Sequence, residues 1–127
     1  MTTVREIMSA ELVTVDPSVN LMQAAHLMSV GHVGSVLVLE DGSLVGIFTE
    51  RDILQALAAH PKADSARTSS VSKGMTRDPV TINPNASVGE ALDLMLSRGF
   101  RHLPVMQGDT LVGVVSMRDL AKSLAKE

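Results

Sequence analysis

Two short stretches hold the residue types that could do chemistry. They are Gly46-Ile47-Phe48-Thr49-Glu50-Arg51-Asp52 and Gly113-Val114-Val115-Ser116-Met117-Arg118-Asp119. Both read as glycine, two apolar residues, a hydroxyl, one variable residue, arginine and aspartate. Each lies where an apolar strand-like run gives way to a helical pattern. The hydroxyl and the aspartate, three residues apart, therefore meet at a helix N-terminus. Free N–H groups and the positive end of the helix dipole favour a phosphate there. A carboxylate can accept from two neighbouring ribose hydroxyls, and Arg51 or Arg118 adds a planar cation for phosphate oxygens. The combination suits a ribonucleotide. The same Thr-x-x-Asp and Ser-x-x-Asp spacing is also a capping box, which needs no ligand. Taken singly, capping is the commoner reason for such a pair. Capping does not require the arginines, and here they are duplicated.

Other chemistries lack their residues. There is no cysteine, which removes disulfides, thiolate catalysis and cysteine-based zinc sites. His26, His32 and His60 have no spacing that converges on a metal. No phosphate-loop or dinucleotide-binding glycine fingerprint occurs. Gly42 and Gly108 read as turn residues. No nucleophile, base and orienting group can be assembled, so an enzyme ranks below a binding module. His102 fits two roles, a phosphate donor or a partly buried residue at a strand edge.

The elements that position both stretches come from an internal repeat. An offset of about 67 residues lays 4–54 on 71–121 without a gap, and about fourteen positions are identical. Two copies suit a pseudo-twofold pair that closes on itself. Each copy reads βαββα. In the first, Val13–Val15 makes a short strand and a helix follows over about 19–30. Leu21, Ala24, Ala25 and Met28 share one face of it. Val88, Ala91, Leu92 and Met95 do the same in the second copy. Ser35–Leu39 and Leu44–Phe48 form a hairpin around Asp41-Gly42, a turn signal. Leu103–Met106 and Leu111–Val115 repeat it. Helices over Glu50–Ala59 and Met117–Lys126 close the copies. The predicted organisation is a first repeat over 1–59, a polar linker over 60–70 and a second repeat over 71–127. The fold class is α/β, with each small sheet packed against two helices.

Composition narrows the partners. The chain has 127 residues, 45% apolar and 20% charged, with two Phe, no Trp and no Tyr. Val, Leu, Ile, Ala and eight Met must fill the core. A formal charge of −3 with almost no aromatic residues argues against nucleic acid. MTTVREIMSAEL has no apolar signal core, and no apolar run approaches the roughly 20 residues of a membrane span. These features point to the cytoplasm.

The chain resembles the cystathionine-β-synthase (CBS) domain pair, or Bateman module, from Val4-Arg5-Glu6-Ile7-Met8 to Asp119-Leu120. The resemblance rests on Leu44–Leu54, on Arg101-His102-Leu103-Pro104-Val105 and on Leu111–Leu120. It implies a non-catalytic regulatory module that takes AMP, ADP, ATP, S-adenosylmethionine or an NAD-like ligand in the cleft between repeats. It implies no metal and no further cofactor, a homodimer, and an effector protein that reads the bound state. Carried onto this chain, Thr49 and Asp52 serve one site, and Ser116 and Asp119 the other. Thr14, Val15 and Pro17 border the base in the first; Thr81, Ile82 and Pro84 do so in the second. Gly34, Ser35 and Val36 form the other wall, matched by His102, Leu103 and Pro104. Arg51, Arg101 and Arg118 are candidate phosphate contacts. Gly34 and Ser35 lack the cation and imidazole of Arg101 and His102, so the two sites should differ in affinity. The rival reading is a dimerisation or docking module without a small ligand, in which Asp52 and Asp119 only cap helices.

Overall fold

The computed structural model describes residues 1–59 and 63–126. His60, the 60–62 part of the expected linker and Glu127 lie outside the described residues. In chain order the elements are α1 (Val4–Ile7), β1 (Thr14–Val15), α2 (Leu21–Gly31), β2 (Ser35–Glu40), β3 (Ser43–Thr49) and α3 (Glu50–Ala59). There follow α4 (Ala63–Thr68), α5 (Val71–Gly74), β4 (Thr76–Arg77), α6 (Val88–Arg98), β5 (His102–Gln107), β6 (Thr110–Ser116) and α7 (Met117–Ala125). The predicted βαββα order is present in the first copy, and in the second with its first strand reduced to a bridge; three short helices and β4 add to it. The chain forms two compact units, Val13–Pro79 and Met1–Leu12 with Val80–Glu127.

In the 13–79 unit the sheet order is β1-β2-β3-β4. β1 runs parallel to β2, with Thr14 opposite Leu37, and β2 runs antiparallel to β3, with Ser35 opposite Thr49. The β2 run Val36-Leu37-Val38-Leu39 is aliphatic throughout rather than alternating, as befits a strand covered on both faces. Val36, Leu37 and Val38 are all buried. Asp41 (φ 53°) and Gly42 (φ 81°) both take positive φ, as the tight hairpin turn requires. α2 starts at a reciprocal cap, in which Gln23 N–H donates to Asn20 Oδ1 (2.9 Å) and Asn20 N–H to Gln23 Oε1 (3.0 Å). Its buried face is Leu21, Ala24 and Met28. These pack with Val15, Val36, Val38, Phe48, Val71 and Met75 into one core. Each large apolar side chain buried this way contributes about 1.5–3 kcal/mol. Just before α2, Asp16 Oδ1 accepts from Ser18 N–H (2.9 Å) and Ser18 Oγ–H (2.7 Å). The backbone bond first, then the hydroxyl, holds the Asp16 carboxyl below its ordinary range.

Part of the 60–70 stretch, which reads as linker, is helical. α4 occupies 63–68, lies against α2 and α3, and buries Ala66.

The other unit repeats the plan. β5 and β6 pair antiparallel, with His102 opposite Ser116. α6 buries Val88, Ala91 and Met95. Its core adds Val4, Ile82, Leu103, Val105, Val115 and Leu120. One difference has a clear cause. In the 13–79 unit Leu37 N–H donates to Val13 O (3.0 Å), and β1 is a true strand. At the equivalent position Pro104 has no N–H to give to Val80. The copy of β1 therefore shrinks to a single parallel bridge, Ile82 to Val105.

Each unit borrows its leader from the other repeat. Val71 N–H donates to Val19 O (2.8 Å), Ser72 N–H to Pro17 O (3.3 Å) and Leu21 N–H to Ser69 O (2.9 Å). At the positions related by the repeat, Val4 N–H donates to Ala86 O (2.8 Å), Arg5 N–H to Pro84 O (2.9 Å) and Val88 N–H to Thr2 O (3.1 Å). Behind each leader a short strand continues the sheet. Thr76 pairs with Ile47, and Ser9 pairs with Val114. The glycines at Gly46 and Gly113 let the leader methionines Met75 and Met8 lie against the backbone.

Candidate functional site

The two motifs fold as their local sequence dictates. Thr49 N–H donates to Asp52 Oδ2 at 2.8 Å, Thr49 Oγ1–H to the same oxygen at 3.1 Å, and Asp52 N–H to Thr49 Oγ1 at 3.4 Å. In the second copy Ser116 N–H donates to Asp119 Oδ2 at 2.8 Å and Asp119 N–H to Ser116 Oγ at 3.1 Å. Both are capping boxes, and both pairs are half-buried. A carboxylate offers about four acceptor positions. The cap bond to Ser116 N–H therefore leaves acceptor capacity on Asp119.

The sheet brings the other predicted residues to the same end. In the 13–79 unit Thr49 sits opposite Ser35, and Gly34 O accepts from Glu50 N–H (3.1 Å). Thr14 begins the adjacent parallel strand. Gly34, Ser35, Val36, Thr14 and the Thr49–Asp52 cap thus lie toward one end of the sheet. Arg51 and Thr14 are exposed there, while Val15, Ser35 and Val36 are buried and form the floor.

The 80–127 unit builds the same edge with different chemistry. His102 sits opposite Ser116, and Arg101 O accepts from Met117 N–H (2.8 Å). Thr81, Arg101 and Arg118 are exposed, and His102 is half-buried. Ile82, Leu103 and Pro104 are buried beneath them. Strand backbone at this edge is open as well, since Pro104 withholds the donor that Val80 O would otherwise receive.

Pro17 and Pro84 also have a structural role. Their carbonyls receive the leaders, and Pro84 is fully buried. Among the described residues no group of three histidines and carboxylates is placed to hold a metal ion. No helix among them is long and apolar enough to cross a membrane.

One feature escaped the sequence reading. A depression of about 550 Å³ runs from Asp119 past Lys122, Ser123 and Lys126, with Thr2 and Glu6 on its far wall. The signal for its α7 side was present as the spacing i, i+3, i+4, i+7. The α1 side depends on the leader exchange.

The chain is similar to known proteins along its length. The CBS domain family model matches residues 4–59 and again 69–126. The CBS domain-containing protein YhcV of Bacillus subtilis is 37% identical over 121 residues, 95% of this chain and 84% of that protein. The crystal structure of the CBS-domain containing protein ATU1752 from Agrobacterium tumefaciens is similar with a TM-score of 0.90 and 32% identity, covering 97% of this chain and 99% of that one. A crystal structure of CBSX2 in complex with AMP is similar with a TM-score of 0.82 and 25% identity, covering 99% and 98% of the two chains.

Proposed function

The chain belongs to the CBS domain family, and on that footing we propose that it is a non-catalytic regulatory module for an adenine nucleotide or a related adenosyl ligand. AMP, ADP, ATP, S-adenosylmethionine and NAD are the compounds in view. The observation that carries the reading is the duplicated helix-start motif. In each unit it lies at the same sheet end as the start of the hairpin, with β1 alongside in the 13–79 unit. The complex of CBSX2 with AMP supports it. The aspartate takes ribose hydroxyls, the helix N-terminus and Arg51 or Arg118 take phosphate, and the strand backbone frames the base.

The site in the 80–127 unit is the stronger of the two. It has Arg101 and His102 where the other has Gly34 and Ser35, and Val80 O is left to accept from an exocyclic amine. Bound ligand favours one of two states of the module, and an effector protein in the cytoplasm reads which. The shift is bounded by the ligand's differential affinity for the two states.

The capping hydrogen bonds favour a second reading, a docking module in which the aspartates serve only the helices. Isothermal calorimetry against AMP, ATP, S-adenosylmethionine and NAD separates the two. Wild type binds at least one with micromolar Kd, on the order of −8 kcal/mol. Asp119→Ala weakens binding by about 100-fold, because hydrogen bonds to a charged group are lost. Asp52→Ala does less. Silence from all four ligands, with folded variants, sinks the sensor reading and leaves the docking one.

The module works as a homodimer in this reading. Val30, Leu54 and Leu57 in one unit and Leu96 and Leu124 in the other are exposed apolar residues on helices. A chain this small gains from covering them with a second copy. Light scattering should give twice the chain mass, reverting to one chain on Leu54→Glu. A monomer at tens of micromolar would refute it.

A further inference from the structure

Asp119 belongs to two features at once. It is the carboxylate of the ribose-binding motif proposed above, and it forms one end of the depression along α7. Lys122 and Lys126 follow it by three and seven residues, which places them about 4.5 and 10 Å farther along the helix. Ser123 lies between them, and Thr2 faces them from the leader. Neither lysine ammonium makes a hydrogen bond or ion pair among the described residues. Glu6 is the opposing charge, and its carboxylate accepts from Thr3 N–H at 3.2 Å.

We propose that Lys122 and Lys126 form a subsite for an anionic group carried on the 5′ side of a nucleoside whose ribose is held by Asp119. The inference rests on the nucleotide reading of that motif. The group is a phosphate chain or the carboxylate of an amino-acid tail, which present the same chemistry to two ammonium groups. The 13–79 unit lacks the two lysines. Its equivalent helix positions are Gln55, Ala56 and Ala59. The two units therefore differ in which adenosyl compounds they prefer, beyond their difference at Arg101 and His102. The unit with the lysines discriminates more strongly among tails, and the other has only Arg51 and its helix N-terminus for them.

The test uses matched ligand pairs in an Asp52→Ala background, so that only the 80–127 motif reports. Adenosine is compared with ADP, and methylthioadenosine with S-adenosylhomocysteine, by calorimetry. At least one tailed compound should bind about five- to tenfold tighter than its tail-free partner, as two partly exposed charge contacts allow. Lys122→Ala with Lys126→Ala should lower that ratio by about threefold or more, leaving what Arg101 and Arg118 contribute, without changing tail-free binding or melting temperature. Glu6→Gln should raise the ratio, and added salt should lower it. An effect confined to ADP identifies a phosphate chain; one confined to S-adenosylhomocysteine identifies a carboxylate. A tail preference unchanged in the double lysine variant, or none in wild type, overturns this inference and leaves the nucleotide reading intact. Failure of all four compounds to bind overturns both.

Discussion

Removing residues 1–12 unfolds the 80–127 unit. Terminal segments are ordinarily expendable, but this one completes a core and a sheet. Val4 is fully buried among Ile82, Val88 and Leu120. Backbone bonds join Val4 to Ala86, Arg5 to Pro84, Val88 to Thr2, and Ser9 to Val114 in both directions. At about 1 kcal/mol net for each of the five bonds, and about 1.5–2 kcal/mol for the buried valine, the segment contributes roughly 7 kcal/mol. That rivals the whole stability of a small domain, roughly 5–15 kcal/mol. Hydrogen exchange on the truncated chain should show protection lost across α6, β5 and β6. Adding residues 1–12 back as a C-terminal extension through a flexible linker should restore it. Unchanged protection after truncation would show that the leader is ornamental.

The second large effect is expected at the two glycines beneath the leader methionines. A Cβ on Gly113 would lie 2.6 Å from Met8 Sδ and 2.9 Å from Ser9 O. The thioether could move, but the carbonyl is held by Val114 N–H at 3.0 Å. Gly113→Ala should therefore cost roughly 2–3 kcal/mol, at the upper end of overpacking costs. Gly46→Ala is milder in kind. Its Cβ meets the Met75 side chain first and lies 3.1 Å from Thr76 O. Double-mutant cycles separate the two cases. Met75→Ala should relieve most of the Gly46→Ala penalty, whereas Met8→Ala should relieve little of the Gly113→Ala penalty. Urea titrations read both. Equal rescue at the two sites would show that side-chain crowding, not the carbonyl, sets the cost.

Both predictions concern the leaders, which the repeat detects but cannot locate. Val4 and Met8 match Val71 and Met75 in the offset alignment, so a repeated role is legible. Which unit each leader completes is not. Ser9 pairs with Val114 across most of the chain's length, and such pairing leaves no local periodicity to read. The compact units consequently cut the chain at Leu12 and Pro79, away from the repeat boundaries.

The residues that share local structure were legible because their partners lie within a few positions. Asn20 and Gln23 cap α2, Asp41 and Gly42 turn the hairpin, and Thr49 with Asp52 and Ser116 with Asp119 start the closing helices. Short-range spacing is enough to specify each of these hydrogen bonds. The candidate site was legible to the same depth. Its hydroxyls, aspartates and arginines follow from one motif, and the hairpin register places Ser35 by Thr49 and His102 by Ser116. Tertiary structure decided the rest. It turned Pro17 and Pro84 toward holding leaders and made part of the 60–70 stretch a helix over a buried Ala66. It also set Glu6 opposite Lys122 and Lys126. Those placements depend on which surfaces can be buried together, and burial is a property of the assembled unit rather than of neighbouring residues in the chain.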